Sequence, residues 1–228
     1  MSAAAPVGLP FGVLAVCSGN VCRSPFLELL LARAFAGRSD LAASSAGTIA
    51  RPRMRMTDEM VTVAQAHGIS ESDAREHRAR RLDEAAVASA GLVLGLTREH
   101  RAAAVELHPR ALRYSFTLRE FARLVGDLGP AESGARTPAE LIGELAALRG
   151  GSSPAAAEDD DIRDPIGLPQ EIYDEVGGEI ADAARVAAEA LLLTREAPAR
   201  AAGLSVSKSS VIASEKTGPQ LSFAFRRL

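Results

Sequence analysis

The chain contains no tryptophan and only two tyrosines, so a site that stacks aromatic rings has few side chains available. Its two cysteines, Cys17 and Cys22, are too few for a disulfide framework, and their spacing fits no zinc site. No run approaches the roughly 20 apolar residues that a membrane-spanning helix needs, and the first ten residues lack a signal-peptide pattern. We therefore expect a soluble protein of the reducing cytoplasm, with no metal and no membrane partner.

Cationic residues are unevenly distributed along the chain. Arginine is used throughout, whereas the only two lysines, Lys208 and Lys216, lie near the C-terminus. This change in composition predicts a separate C-terminal tail over residues 200–228. The net charge of −3 argues against a nucleic-acid partner, so an anionic ligand would have to be held by local donors.

Short apolar runs alternate with longer amphipathic segments, which is typical of βα units with a parallel sheet. The predicted strands are Gly12–Cys17, Leu41–Ala46, Gly91–Leu96 and Leu112–Phe116. The predicted helices are Pro25–Ala36, Thr57–His67, Asp83–Ala90, Arg98–Leu107, Leu118–Leu128, Pro138–Leu148 and Gln170–Leu193. The predicted fold class is therefore α/β, a three-layer α/β/α sandwich around a four-stranded parallel sheet.

One domain accounts for most of the length. We expect it to cover residues 11–199, after a short lead of residues 1–10. Within it, residues from about 126 to 163 are rich in Gly, Pro, Ser and Ala and are predicted to be an inserted connection. The acidic run from Glu158 to Asp161 is expected to be a solvated loop.

Residues 17–24 read Cys-Ser-Gly-Asn-Val-Cys-Arg-Ser and lie where the first predicted strand turns into the first predicted helix. Backbone N–H groups at a helix N-terminus have no partners within the helix and carry the positive end of its dipole, so a loop there can bind a tetrahedral oxyanion. The same field stabilises a cysteine thiolate, which makes Cys17 the expected nucleophile. Arg23 offers a planar fork for two phosphate oxygens, and Ser18 and Gly19 are small where the backbone must approach the anion.

This stretch resembles the signature loop of the low-molecular-weight protein tyrosine phosphatase family. The residues that carry the resemblance are Cys17, Asn20, Cys22, Arg23, Ser24 and Pro25. Far downstream, Asp164-Pro165 is similar to the pair that contains the family's general acid, and it follows the nucleophile loop as it does in this family. Two shorter similarities, Ser45 to Thr48 and His77 to Leu82, lie between them in the expected order. Together they span roughly residues 11–194.

The resemblance implies a phosphomonoester hydrolase that forms a phosphocysteine on Cys17, with Asp164 as general acid and then general base and with no cofactor. It implies that Ser24 helps the sulfur to leave when the intermediate breaks down, although Ser24 followed by proline is also a common helix cap. By the same resemblance, the backbone around Val21 completes the phosphate-binding loop, and Asn20 shapes this loop through hydrogen bonds to Ser45 and His77. Cys22 either packs behind the loop or, as in the family, forms a reversible disulfide with Cys17.

The sequence also departs from the family pattern. Ile166 stands where phosphotyrosine enzymes of the family have an aromatic ring, and no ring follows Thr48. Arg51, Arg53 and Arg55 occupy that second stretch and could attract acidic peptides or another anionic group. The expected substrate is either a protein that carries phosphotyrosine, as the resemblance implies, or a small phosphomonoester. Two alternatives stay open: an arsenate reductase that uses an external thiol, and an inactive phosphoprotein-binding module.

His67, His100 and His108 have no metal-ligand spacing and are assigned no function.

Overall fold

A computed structural model describes residues 9–129, 134–151 and 156–194. The predicted tail, residues 200–228, and most of the N-terminal lead lie outside these ranges. The strands are β1 Phe11–Cys17, β2 Leu41–Gly47, β3 Leu92–Gly95 and β4 Ser115–Thr117. The α-helices of these ranges are α1 Arg23–Ala34, α2 Asp58–Ala66, α3 Glu71–Glu76, α4 Glu84–Ser89, α5 Arg98–Leu107, α6 Leu118–Leu128, α7 Pro138–Gly151, α8 Ala157–Asp160 and α9 Gln170–Leu193.

The four strands form one parallel sheet in the order β2-β1-β3-β4, which confirms the predicted fold class. Strand β1 is therefore an interior strand, with Cys17 paired to Gly47 and Val16 paired to Gly95. Strand β4 is shorter than predicted because a 3-10 helix, Pro109–Arg113, occupies the first part of the expected run. The proline fixes φ at its start and favours a tight turn over an extended chain.

Strand alternation separates the core into two layers of side chains. Val13, Ala15 and Cys17 of β1 join a large cluster formed with α1, α2, α6, α7 and α9. Leu14 and Val16 face the opposite side and pack with apolar residues of α4 and α5. Because successive strand residues point to opposite faces, a strand that is apolar throughout must be covered by helices on both sides. This is the three-layer arrangement.

Hydroxyl and carboxylate caps begin several helices where the sequence changes from apolar runs to amphipathic segments. Thr57, Ser70, Asp83, Thr97 and Thr117 each accept a backbone N–H from the first turn of the helix that follows. Helix α3 was not predicted, because only Ala74 of its six residues is buried and the segment has little apolar periodicity. None of the helices in the described ranges is long and apolar enough to cross a lipid bilayer.

The connection predicted as an insert contains helix α7, which buries Leu141, Ile142 and Leu145 in the larger core cluster. The assignment of residues 126–163 as an insertion stays a prediction. The helix itself packs on α6 as part of the same core.

Candidate active site

The loop between β1 and α1 surrounds the Cys17 sulfur with polar hydrogens. The Asn20 backbone N–H donates to Cys17 Sγ over 3.3 Å, and Ser24 Oγ lies 2.9 Å from the same sulfur. Among the described residues, no acceptor is bonded to the backbone N–H of Gly19, Val21 or Cys22. Cys17 and Cys22 are both free thiols and both buried. A strand end, a tight loop and a helix start thus place a sulfur among unbonded main-chain donors.

Asn20 holds the loop in shape through both its side chain and its backbone. Its φ of 53° is in the left-handed region, which asparagine tolerates better than most residues. The amide Nδ2 donates to Ser24 Oγ at 3.0 Å and to Ser45 Oγ at 2.7 Å. The Asn20 carbonyl accepts from His77 Nε2 at 2.8 Å, and Oδ1 accepts from the Arg80 backbone N–H at 2.8 Å. The structure therefore brings together the two supporting residues that the family resemblance implied.

The end of β2 packs against the loop without room for a side chain. A Cβ on Gly47 would lie 2.5 Å from the Ser18 carbonyl oxygen and 2.8 Å from the Asn20 nitrogen. Both of these neighbours are backbone atoms, which cannot rotate out of the way. Glycine is required here because two main chains approach each other directly.

His77 is half-buried beneath the loop and near a carboxylate. Burial lowers the pKa of His77, although its hydrogen bond to Asn20 and the charge of Glu28 act in the opposite direction. Because a carbonyl oxygen only accepts, the ring proton lies on Nε2. Glu28 in turn accepts from Ser45 Oγ at 2.5 Å, so one carboxylate faces both supporting residues.

Arg23 connects the loop to the segment that contains Asp164. Its NH2 donates to Asp164 Oδ2 at 2.6 Å, and its NH1 donates to the Ile162 carbonyl at 2.9 Å. The Arg23 side chain is only 4% exposed, whereas that of Asp164 is 43% exposed. Within the described residues, the buried Arg23 Nε has no hydrogen-bond partner. Nε is thus the one guanidinium nitrogen without a described protein acceptor and can donate to an anion in the loop, and the carboxylate beside it is open to solvent.

The acidic segment before Asp164 is only in part the solvated loop that its composition predicts, because Asp160 and Asp161 are bonded to the protein while Asp159 is exposed. Asp160 is buried and bonds to Arg98 NH2 and Arg123 NH1, both at 2.8 Å. Burial acts to raise the pKa of Asp160, but the hydrogen bonds and charges of Arg123 and Arg98 outweigh it and hold the pKa below its usual range. Asp161 Oδ1 accepts the Arg98 backbone N–H at 2.7 Å, at the start of α5. We call Asp160 and Asp161 with these two arginines the acidic clasp.

His100 is a residue at this site that sequence reasoning missed. It is buried, and its Nε2 lies 2.9 Å from Ser18 Oγ. Thr97 Oγ1 accepts the His100 backbone N–H and lies 2.9 Å from His100 Nδ1, so the threonine proton is free to be donated to the ring. Burial, with a smaller contribution from the positive Arg23, lowers the pKa of His100 to about 4. The helix cap at Thr97 was the available signal, because it fixes the side chain three residues later.

Cys22 lies beneath the loop in the main core cluster. Burial, and then the nearby Cys17, raise the pKa of the Cys22 thiol far above its ordinary value. A thiol in this environment is unreactive while it stays buried. The structure thus gives the packing arrangement, and the regulatory disulfide stays a prediction.

Exposed aliphatic side chains flank the loop at the positions where phosphotyrosine enzymes of the family have aromatic rings. Ile49 directly follows Thr48, whose backbone N–H donates to the Cys17 carbonyl, and Ile166 donates its N–H to Asp164 Oδ1 at 3.3 Å. Both isoleucines are exposed. In the same described ranges, no three His, Cys, Asp or Glu side chains are grouped as metal ligands.

Comparison with known proteins identifies a family for this arrangement. Residues 12–129 match the sequence model described as low molecular weight phosphotyrosine protein phosphatase. A Ralstonia nicotianae protein named probable low molecular weight protein-tyrosine-phosphatase EpsP is 34% identical over 108 residues, 47% of this chain and 70% of that protein. A protein-arginine-phosphatase of Geobacillus stearothermophilus is 27% identical over 165 residues, 72% of this chain and 85% of that protein.

Solved structures give the same result over more of the chain. The YwlE arginine phosphatase from Geobacillus stearothermophilus superposes with a TM-score of 0.60 at 27% identity, covering 81% of this chain and 94% of the other. A low molecular weight protein tyrosine phosphatase from T. tengcongensis has a TM-score of 0.58 at 28% identity, covering 78% of this chain and 98% of the other.

Proposed function

The chain belongs to the low-molecular-weight protein tyrosine phosphatase family of cysteine-dependent phosphatases, and we propose that it hydrolyses its substrates through a phosphocysteine on Cys17. Asp164 serves as general acid and then as general base. No cofactor takes part. The two free thiols suit the reducing cytoplasm as its place of action.

The observation that carries this proposal is the unpaired Nε of Arg23. A buried donor without a partner costs about 1–3 kcal/mol, and more when the group is charged. Arg23 has two of its nitrogens bonded to Ile162 and Asp164, so only Nε lacks an acceptor in the described part of the chain. A phosphoryl oxygen in the loop would accept from Nε and from the unbonded main-chain N–H groups.

In the first step, Cys17 Sγ attacks phosphorus and the S–P bond forms. The bond from phosphorus to the leaving oxygen breaks, and the protonated Asp164 carboxyl gives its proton to that oxygen. Arg23 and the loop N–H groups bind the equatorial oxygens, where negative charge is concentrated in the transition state.

In the second step, water attacks the phosphocysteine. Asp164 accepts a proton from the water, the S–P bond breaks, and inorganic phosphate leaves. Ser24 Oγ, 2.9 Å from the sulfur, donates a hydrogen bond to the departing thiolate. Asn20, Ser45 and His77 support the step indirectly, because they hold the loop in the geometry in which its N–H groups converge.

The proposed substrate is a phosphorylated protein, with phosphotyrosine as the first candidate and phosphoarginine as the second. Two observations support the second candidate: a relative named protein-arginine-phosphatase covers 72% of this chain, and the exposed aliphatic Ile49 and Ile166 stand where phosphotyrosine enzymes of the family have aromatic rings. When phosphoarginine is cleaved, the bond from phosphorus to nitrogen breaks, and the leaving guanidine nitrogen also needs a proton from Asp164. Matched peptides that carry either phosphorylated residue would separate the two, by comparison of kcat/KM.

The mechanism is tested with p-nitrophenyl phosphate and phenyl phosphate. Cys17→Ala is expected to abolish turnover, and wild type quenched with acid during turnover should retain covalent phosphate on Cys17. Asp164→Asn should slow phenyl phosphate cleavage by roughly 10² to 10⁴. Asp127→Asn, which changes an exposed carboxylate on α6, is the matched control. An unchanged rate in Asp164→Asn would assign the acid elsewhere.

Consumption of arsenate with an external thiol would favour the reductase, and binding without turnover would favour the inactive module.

A further inference from the structure

Six exposed arginines lie on two adjoining segments beside the nucleophile loop, and no acidic residue occurs in either segment. The first segment is residues 48–57 and the second is residues 77–82. The six residues are Arg51, Arg53, Arg55, Arg78, Arg80 and Arg81. We call this surface the arginine ledge.

The ledge is attached directly to the loop that holds Cys17. The first segment begins with Thr48 and Ile49, whose backbone N–H groups donate to the Cys17 and Ser18 carbonyls, and ends with Thr57 N–H donating to the Val21 carbonyl. These three bonds are 2.9, 3.0 and 2.9 Å long. The second segment is joined to the loop where the Arg80 N–H donates to Asn20 Oδ1 at 2.8 Å.

The two segments also bond to each other. Arg53 N–H donates to the Ala79 carbonyl at 2.9 Å, and Ala79 N–H donates to the Met54 carbonyl at 2.8 Å. This pairing holds Arg53 at a φ of 72°, a left-handed conformation that is costly for a side chain of this kind. Strained backbone of this sort persists where surrounding structure determines it, and it often accompanies binding sites.

The described residues do not neutralise the ledge charges. In the described ranges, none of the six arginines forms an ion pair, whereas Arg23, Arg38, Arg75 and Arg123 each bind a carboxylate. Arg78 donates to the carbonyls of Arg75 and His77, and Arg80 donates to the Ser45 carbonyl. A carbonyl satisfies a donor but leaves the positive charge in place.

We propose that the arginine ledge binds an acidic stretch of a phosphoprotein, next to the phosphorylated residue in the cradle. This inference rests on the proposed function and specifies its substrate class. Guanidinium groups bind carboxylates in pairs of hydrogen bonds, and several unpaired charges of one sign steer an oppositely charged partner. The chain as a whole carries a net charge of −3, so the ledge is a local region of opposite charge. Its field orients an acidic partner toward the nucleophile loop.

Kinetics on two phosphopeptides tests the ledge. Both contain the same phosphorylated residue, flanked by glutamates in one and by glutamines in the other. Arg51→Gln/Arg55→Gln should lower kcat/KM on the acidic peptide by roughly two- to thirtyfold, through KM, because each exposed pair contributes about 0.2–1 kcal/mol. Turnover of the neutral peptide and of p-nitrophenyl phosphate should stay unchanged. The matched control is Arg110→Gln/Arg113→Gln, which removes two exposed charges from the 3-10 helix.

Each outcome has a defined meaning. Equal losses on both peptides, or no preference of wild type for the acidic one, would overturn the ledge while leaving the catalytic proposal intact. Absence of turnover on every phosphate would defeat the catalytic proposal alone, because binding of the labelled peptides to Cys17→Ala protein, followed by fluorescence anisotropy, still measures the ledge. Loss of RNA or anionic-vesicle binding in Arg51→Gln/Arg55→Gln, with unchanged peptide kinetics and peptide binding, would assign the surface to another partner and overturn the inference.

Discussion

Ser24 Oγ has three hydrogen-bond partners, and their chemistry decides what its proton can do. Asn20 Nδ2 donates to this oxygen at 3.0 Å, so the hydroxyl proton is available for Cys17 Sγ at 2.9 Å or for the Ala46 carbonyl at 3.4 Å. The sulfur is the closer acceptor. Although serine before proline is typical of a helix cap, the helix begins one residue earlier, at Arg23, and Ser24 faces the loop instead.

Ser24→Ala should therefore slow the breakdown of the phosphoenzyme more than its formation. Loss of a hydrogen bond to a charged group costs about 1.5–3 kcal/mol, which is roughly 10- to 150-fold in rate. Rapid mixing with p-nitrophenyl phosphate should show a larger burst of p-nitrophenol followed by slower turnover. Ser44→Ala on β2, whose hydroxyl donates to the Val13 carbonyl of β1 at 3.5 Å, is the control. Equal slowing of both phases would mean that Ser24 shapes the loop without acting on the sulfur.

The sequence predicted the residues of the loop because their order along the chain determines their geometry. A strand, a short loop and a helix start place residues 17–24 around one point, and Asn20 is one of the residues of this motif. His100 could not be found in the same way, because it stands among polar helix residues and its contact with Ser18 is made across the fold. The cap at Thr97 indicates the position of His100 in the helix, but burial of a polar side chain is a tertiary property that local sequence does not carry.

At the scale of elements, the acidic clasp fixes the segment that carries the general acid. Asp160 pairs with Arg98 and Arg123, and two residues later Ile162 N–H donates to the Leu96 carbonyl at 2.9 Å. The Ile162 carbonyl then accepts from Arg23. The clasp thus connects the start of α5 and the middle of α6 to both the phosphate-binding arginine and the proposed acid.

Asp160→Asn should weaken catalysis most where the leaving group needs a proton. The variant loses a buried charge that faces two arginines, and displacement of Asp164 should slow phenyl phosphate cleavage more than p-nitrophenyl phosphate cleavage. The neighbouring exposed Asp159→Asn serves as the control. A uniform loss on both substrates would indicate general destabilisation, and an intact rate on phenyl phosphate would show that the clasp does not position the acid.

Helix α9 contains two adjacent glycines with different surroundings, which provides a matched pair. A Cβ on Gly177 would collide with Val63 and approach Phe26, whereas a Cβ on Gly178 would meet nothing within 4 Å. Alanine favours the helix by up to about 1 kcal/mol, but overpacking costs about 1–3 kcal/mol. Urea unfolding should show Gly177→Ala less stable than wild type by up to about 2 kcal/mol and Gly178→Ala more stable. The same sign in both variants would contradict this packing.

The elements themselves followed from apolar patterning, and the exceptions have local causes. The strands β1 and β2 were predicted closely because they are short, apolar and flanked by amphipathic segments. The acidic segment before Asp164 was misjudged because its charges suggested solvent, whereas Arg98 and Arg123 supply the partners that permit burial of Asp160. Such partners come from distant elements.

At the scale of the whole molecule, net charge concealed the arginine ledge. The value of −3 averages over a chain in which some arginines are neutralised by carboxylates and others are not. Which arginines stay unpaired depends on the contacts between elements, so it could not be read from composition. The stretch from Arg51 to Arg55 was visible in the sequence, but its pairing with residues 77–82 was not.

The buried His100 makes global stability depend on pH. Its pKa is about 4 in the folded chain against an ordinary 6.5, so the unfolded chain binds more protons between these values and stability falls as the pH is lowered through this window. His100→Gln should remove up to about 1.4 kcal/mol per pH unit of that slope. Urea unfolding of both proteins at pH 7, 6, 5 and 4.5 measures it. Parallel slopes would show that His100 titrates alike in the two states.

The interior position of β1 has a consequence for how the enzyme would fail. Since β2 and β3 occupy both of its edges and helices cover both faces, fraying at the margin of the sheet cannot release the sulfur of Cys17. Inactivation by denaturant should then coincide with the cooperative loss of the circular dichroism signal. Residual turnover would serve as a direct gauge of the fraction of native molecules.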